Sequence, residues 1–82
     1  MDYYPHRQAI GLRKGNNCYE FSTKLVTYKV RHISKYWCIF RNGYLMCTTD
    51  TLTLARTEIL KDYNKRVDEH NDYIRTHREI GE

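Results

Sequence analysis

Cys18, Cys38 and Cys47, together with His32, His70 and His77, are the side chains of this chain best suited to metal binding or nucleophilic chemistry. Their spacing assigns them neither role. No pair falls at the Cys-x-x-Cys or His-x-x-x-His interval of a compact zinc site. His70 and His77 are seven apart and share one helix face, with Asp62 and Glu69 nearby in sequence, but no third ligand stands at a matching interval. They read as surface or helix-pairing residues. Cys38 and Cys47 are expected opposite each other across a hairpin, at a non-hydrogen-bonded site where side chains come closest. A cross-strand disulfide, or half of a metal site completed by Cys18 and a histidine, would use that proximity. Cysteines without a pattern more often serve as small core hydrophobes. A Gly-rich phosphate loop, a Ser/His/Asp arrangement and a carboxylate pair framed by apolar residues are all missing from the sequence. No catalytic residue, metal or cofactor is therefore assigned, and the chain is expected not to be an enzyme.

The chemistry that remains is binding, and charge suggests to what. Residues 1–49 carry eight Lys and Arg against Asp2 and Glu20, a balance of +6; residues 50–82 carry six against eight acidic residues, a balance of −2. The whole chain is thus +4. A basic half joined to a mildly acidic half suits a partner that is negative on one side. Lys29 and Arg31 alternate along one segment, and Tyr36 and Phe40 along the next. Cations that meet phosphates, beside rings that stack or fill a groove, form a surface for nucleic acid. Arg7, Arg13 and Lys14 would add a basic arm.

These residues are positioned by a sheet. Asn42-Gly43, between the apolar runs 36–41 and 44–49, favours a two-residue type I′ turn, because both residues accept positive φ and the turn's twist matches the strands. Residues 24–33 alternate β-branched and aromatic side chains with polar ones, the mark of a half-buried strand. Residues 34–35 form a short connection. Segments 10–13 and 18–21, separated by the turn-forming residues 14–17, read as a further short hairpin. Residues 1–9 are a loose arm broken by Pro5. From Asp50 the period changes: Asp50 or Thr51 can cap a helix, and Leu52, Ala55, Ile59, Tyr63, Val67, His70, Ile74 and His77 recur at three- and four-residue steps. With no Gly or Pro until Gly81, the helix reaches about 40 Å at 1.5 Å per residue. That overhangs any sheet of five- or six-residue strands.

The reading is α+β: a single domain over residues 1–82, with an antiparallel sheet of three strands (four or five with the first hairpin) in 10–49 packed against one long C-terminal helix in 50–79. Two-residue turns sort the strands into two faces, since directly opposed residues share one. Val26, Tyr28, Val30, His32, Trp37, Ile39, Arg41, Tyr44, Met46 and Thr48 form the set expected to receive the helix. Leu25, Thr27, Lys29, Arg31, Ile33, Tyr36, Cys38, Phe40, Leu45 and Cys47 form the other. That second face is either free for a ligand or covered by the N-terminal segment.

The run Trp37-Cys-Ile-Phe-Arg-Asn-Gly-Tyr-Leu-Met-Cys-Thr-Thr-Asp-Thr-Leu-Thr-Leu-Ala55 resembles the three-strand-plus-helix DNA-binding domains of plant ethylene-response factors and of the N-terminal, arm-site-binding region of phage tyrosine integrases. The resemblance covers about residues 24–67. It implies a helix start at Asp50-Thr51 and Ala55, and a free sheet face that enters the major groove. The third strand differs, with Cys47-Thr48-Thr49 where that family usually has Gly and an aromatic residue.

The expected function is that of a small non-enzymatic nucleic-acid-binding protein, with DNA as the partner, encoded by a phage or mobile element. Lys29, Arg31, Tyr36, Phe40, Arg7, Arg13 and Lys14 would form its site. The alternative is a small inhibitor or adaptor that binds a host protein, as a phage anti-defence protein does; a Tyr-rich sheet face suits a protein hot spot equally. Val67, His70, Ile74 and His77 form a candidate seam for a homodimer through the distal helix. An odd number of cysteines, and a start without a charged-then-apolar signal pattern, point to a reducing compartment and hence the cytoplasm. No apolar run approaches the roughly 18 residues of a membrane span.

Overall fold

The Asn42-Gly43 turn forms as its residue types demand: φ is 51° at Asn42 and 89° at Gly43, the two positive values of a type I′ turn. In the computed structural model, which describes residues 3–81 and side chains through His77, this hairpin joins β4 (Tyr36–Arg41) to β5 (Tyr44–Thr49). Upstream lie β1 (Arg13–Gly15), β2 (Cys18–Ser22) and β3 (Thr27–Ile33). The five strands make one antiparallel sheet in sequence order. At the opposite end of the sheet from Asn42-Gly43, two-residue turns at Asn16-Asn17 and Ser34-Lys35 close the β1–β2 and β3–β4 pairs, with Asn17 and Ser34 at positive φ. The first turn is shorter than the expected 14–17 because Lys14 and Gly15 pair with Tyr19 and Cys18, and the strand begins at Arg13, not at residue 10. Between β2 and β3, the Thr23 hydroxyl accepts the Leu25 and Val26 N–H groups. Asn42 also exchanges hydrogen bonds with the Thr27 backbone, extending the β3–β4 ladder by one step.

One register expectation fails. Arg41 opposes Tyr44 and Phe40 opposes Leu45, but Ile39 then opposes Cys47, with Met46 as an extra residue in β5. The bulge shifts everything beyond it by one, which in a period-two element exchanges faces. Cys38 therefore faces Thr48, not Cys47. Cys47 joins Ile39 on the helix side and Thr48 passes to the open face. Cys38 and Cys47 lie on opposite sides of the sheet, so they neither pair nor share a metal site. All three cysteines are free thiols.

The single helix, α1 (Leu52–Gly81), begins where Thr51 caps it: its hydroxyl accepts the Leu54 N–H at 3.1 Å. α1 lies across β4 and β5 on the side of Tyr28, Val30 and Ile39. Ala55, Ile59, Tyr63 and Val67 enter the core from the helix, meeting Ile10, Phe21, Val26, Tyr28, Val30 and Ile39. The helical stripe and the helix-facing set of β3 and β4 are thus as the periodicity implied. No helix among the described residues is long and apolar enough to cross a membrane.

At its C-terminal end the helix outruns the sheet, and the molecule extends 52 Å against 20 and 19 Å in the other directions. The arm, expected to be loose, is fastened along this overhang. Asn71 accepts the Tyr4 N–H and donates to the Tyr4 carbonyl, at 3.0 and 2.9 Å. Asn64 does the same for Arg7, at 2.9 and 3.1 Å. Three extended residues cover about 10 Å and seven helical residues about 10.5 Å, so the two repeats stay in step. His6 pairs with Asp68 between them at 2.5 Å, and Tyr4 sets its ring edge against His70 at 5.0 Å.

This placement bears on two of the expectations. The N-terminal segment does not cover the second sheet face. The stripe proposed as a dimer seam is largely used within the chain: Val67 and Ile74 are buried, His70 meets Tyr4, and His77 stacks on Tyr73.

Candidate nucleic-acid interface

Across the open side of the sheet, the ladders align Arg13, Glu20, Lys29, Phe40 and Leu45 in one row. Arg31 faces Cys38, which faces Thr48, in the next; Ile33 faces Tyr36 in the last. Lys29, Arg31, Tyr36 and Phe40 therefore share one surface, as their alternation required. Lys29 and Arg31 are exposed, Phe40 is half-buried, and Lys29, Arg31, Phe40 and Gly43 line a shallow depression. Tyr36 is 42% exposed, with the Lys35 ammonium over its ring at 5.6 Å. Among the described residues no carboxylate closes an ion pair on Lys29 or Arg31, although Glu20 stands directly across from Lys29.

The remaining expected cations divide. Arg13 is on this face, at its edge. Lys14 opposes Tyr19 and belongs to the other side. Arg7 is drawn away altogether: its guanidinium sits over the rings of Phe21 at 4.8 Å and Tyr63 at 5.9 Å, closing one end of the core. The arm thus supplies structure on the helix side, and only Arg13 of its basic residues joins the open face.

Under α1, the helix side of the sheet gathers several charges around Asp62. Asp62 accepts the Tyr28 hydroxyl at 2.5 Å and an Arg41 N–H at 2.7 Å, and Arg66 approaches it at 4.0 Å. Arg66 also reaches Glu69 at 3.5 Å. Burial first, then the bond to Asp62, raises the Tyr28 phenol well above its ordinary range. Burial, followed by Glu58 and Asp62, likewise raises the Cys47 thiol. Both shifts keep these groups protonated and quiet, as core members. The acidic residues flanking the two helix histidines are engaged elsewhere: Asp62 with Tyr28 and Arg41, and Glu69 with Arg66.

Sequence reading missed Glu20 and Thr48 on the open face. Residues 18–21 are expected as half of a short hairpin, but with no register to place Glu20 on a face, and the bulge hid Thr48. In the sequence, residues 44–47 form an unbroken apolar run, so no alternation is present there whose break could have announced the bulge.

No protein-family model, curated protein or solved structure matches the chain.

Proposed function

We propose that this protein binds DNA through the open face of its sheet, without catalysis. The observation that carries the reading is that Lys29 and Arg31, exposed and unpaired with any described carboxylate, stand between Tyr36 and Phe40 on a face that neither α1 nor the arm covers. Dimension refines it. Five strands spaced about 4.8 Å apart span roughly 19 Å, wider than the roughly 12 Å major groove, whereas β3–β5 alone span about 10 Å. The β3–β5 half is the part that can enter a duplex, and it is also the part that resembles three-strand-plus-helix DNA-binding domains. In this reading Lys29 and Arg31 contact phosphates or base edges, while Phe40 and Leu45 make apolar contacts in the groove.

The test is fluorescence anisotropy with labelled duplex and single-stranded DNA across a salt series. Wild-type affinity should fall linearly on a log–log plot. Lys29→Ala with Arg31→Ala should flatten that slope by about 0.9 per lost phosphate contact. An unchanged slope removes this face from DNA binding.

A second reading has its own observation. Ile33 and Leu45, 47% and 59% exposed, share the face with Tyr36. A protein partner would bury these apolar groups as a hot spot with the cations at its rim. Such a complex would respond more to Leu45→Ala than to salt, whereas DNA binding would show the reverse order.

A further inference from the structure

On the opposite side of the sheet, at the end away from the overhang, a cleft of about 330 Å³ opens among Lys14, Asn17, Tyr19, Val30, His32 and Trp37. Neither α1 nor the arm lines it. Val30, fully buried, forms its floor. His32 lies parallel to Trp37, ring centroids 4.2 Å apart and planes within 4°. Tyr19 is tilted against Trp37 at 6.1 Å. Lys14 stands directly across the ladder from Tyr19, exposed and in no ion pair among the described residues. No carboxylate lines the cleft.

From this arrangement we propose a binding site for one nucleotide: a planar heterocycle stacked among Tyr19, His32 and Trp37, with its phosphate met by the Lys14 ammonium. The size is at the small end of ligand pockets, enough for a single ring system and too small for a duplex. Flat faces select a flat ligand, because a ring stacks on rings over its whole area, while an aliphatic chain gains no such match. The cation without a partner selects a negative charge beside that ring, and the Asn17 amide offers a donor and an acceptor to a heterocycle edge. This site lies on the other side of the sheet from Lys29 and Arg31 and does not depend on DNA binding there. Its ligand is either a free nucleotide or one nucleotide of a strand.

Trp37 is the only tryptophan, so its fluorescence, excited at the red edge, reports the site directly. The probes are adenosine monophosphate, adenosine, inorganic phosphate and a short single-stranded oligonucleotide. Adenosine monophosphate should quench Trp37 saturably, adenosine should bind roughly tenfold more weakly, and phosphate alone should leave the emission unchanged. Lys14→Ala should bring the nucleotide down to the affinity of the nucleoside, a loss of roughly tenfold, or about 1.4 kcal/mol. His32→Ala should weaken both by about tenfold through the lost stack. Both residues are exposed, and circular dichroism will verify that each variant is folded. Quenching by the oligonucleotide alone, sensitive to the same two substitutions, would support the site and identify the source as a strand. The absence of saturable quenching by either nucleotide or oligonucleotide at millimolar concentration would overturn the proposal, as would quenching indifferent to both substitutions. Lys29→Ala with Arg31→Ala should leave Trp37 quenching by the mononucleotide intact, so failure of one site is read separately from failure of the other.

Discussion

Asp62 shows how a polar side chain on α1 fixes the sheet beneath it. It accepts from Tyr28 on β3 and Arg41 on β4, so one carboxylate sets the helix against two strands. Tyr28→Phe leaves Asp62 its Arg41 partner and should cost about 1.5–3 kcal/mol in chemical denaturation, the contribution of one charge-assisted hydrogen bond. The same group gives a pH signature. Burial and the bond to Asp62 raise the phenol above its ordinary 10.0, so its stabilising contribution is whole below about pH 10 and is lost as pH rises beyond it. The melting temperature of the wild type should therefore fall more steeply above pH 10 than that of Tyr28→Phe. Parallel curves would contradict the assignment. Cys47 offers a second residue-scale check. Because burial lifts its thiol above the ordinary 9.0, iodoacetamide at pH 8 should label it more slowly in the native protein than in urea. Mass spectrometry of the labelled peptides measures both rates. Residue types made much of this scale legible: Asn42-Gly43 announced its turn, and Ala55, Ile59 and Tyr63 announced a buried stripe. Arg41 did not announce its bond to Asp62, because a register places it on a face without saying which helical residue arrives above it.

At the scale of elements, the least legible feature is the arm. Residues 3–9 have no periodicity of their own, and Pro5 rules out regular pairing, so nothing local fixes their course. The information sits in the partner instead. Asn64 and Asn71, two helical turns apart, each satisfy the N–H and carbonyl of one arm residue, as a neighbouring strand would. Replacing both by alanine should lower stability by about 1–3 kcal/mol and speed amide exchange at Tyr4 and Arg7, while leaving exchange in β3 and β4 little changed. Equal protection at Tyr4 in the double variant would show that the clamp does not hold the arm. The clamp also bears on self-association. With Val67 and Ile74 already buried, a helix pair gains little by covering them, so the full chain should scatter light as a monomer of 10.0 kDa at tens of micromolar. Deleting residues 1–9 should expose the stripe and raise the apparent mass. The bulge in β5 was hidden for a related reason: alternation predicts faces only while each residue has one opposite number, and Met46 has none.

The whole molecule divides its two sheet faces by role. One is covered over most of its area by α1, gathers charges around Asp62, and draws Arg7 onto Phe21 and Tyr63, leaving open only the end where Tyr19, His32 and Trp37 meet. The other keeps Arg13, Lys29 and Arg31 in solvent beside Tyr36, Phe40 and Leu45. The overhanging helix gives a long, narrow body whose basic half is the sheet and whose acidic residues concentrate on α1. The excess of +6 over residues 1–49 made the first half of this picture readable from composition, and period two assigned Lys29 and Arg31 to one face. Whether that face stayed open depended on the course of residues 3–9, which only the tertiary arrangement decides. The central claim is that the open face is a surface for DNA. Its most direct measurement is the salt dependence of duplex binding for the wild type and for Lys29→Ala with Arg31→Ala. The account predicts binding whose log–log slope flattens by roughly 0.9 per lost contact, about 1.8 in total, with the fold intact by circular dichroism. The same slope in both proteins, or no binding by the wild type at low salt, would contradict it.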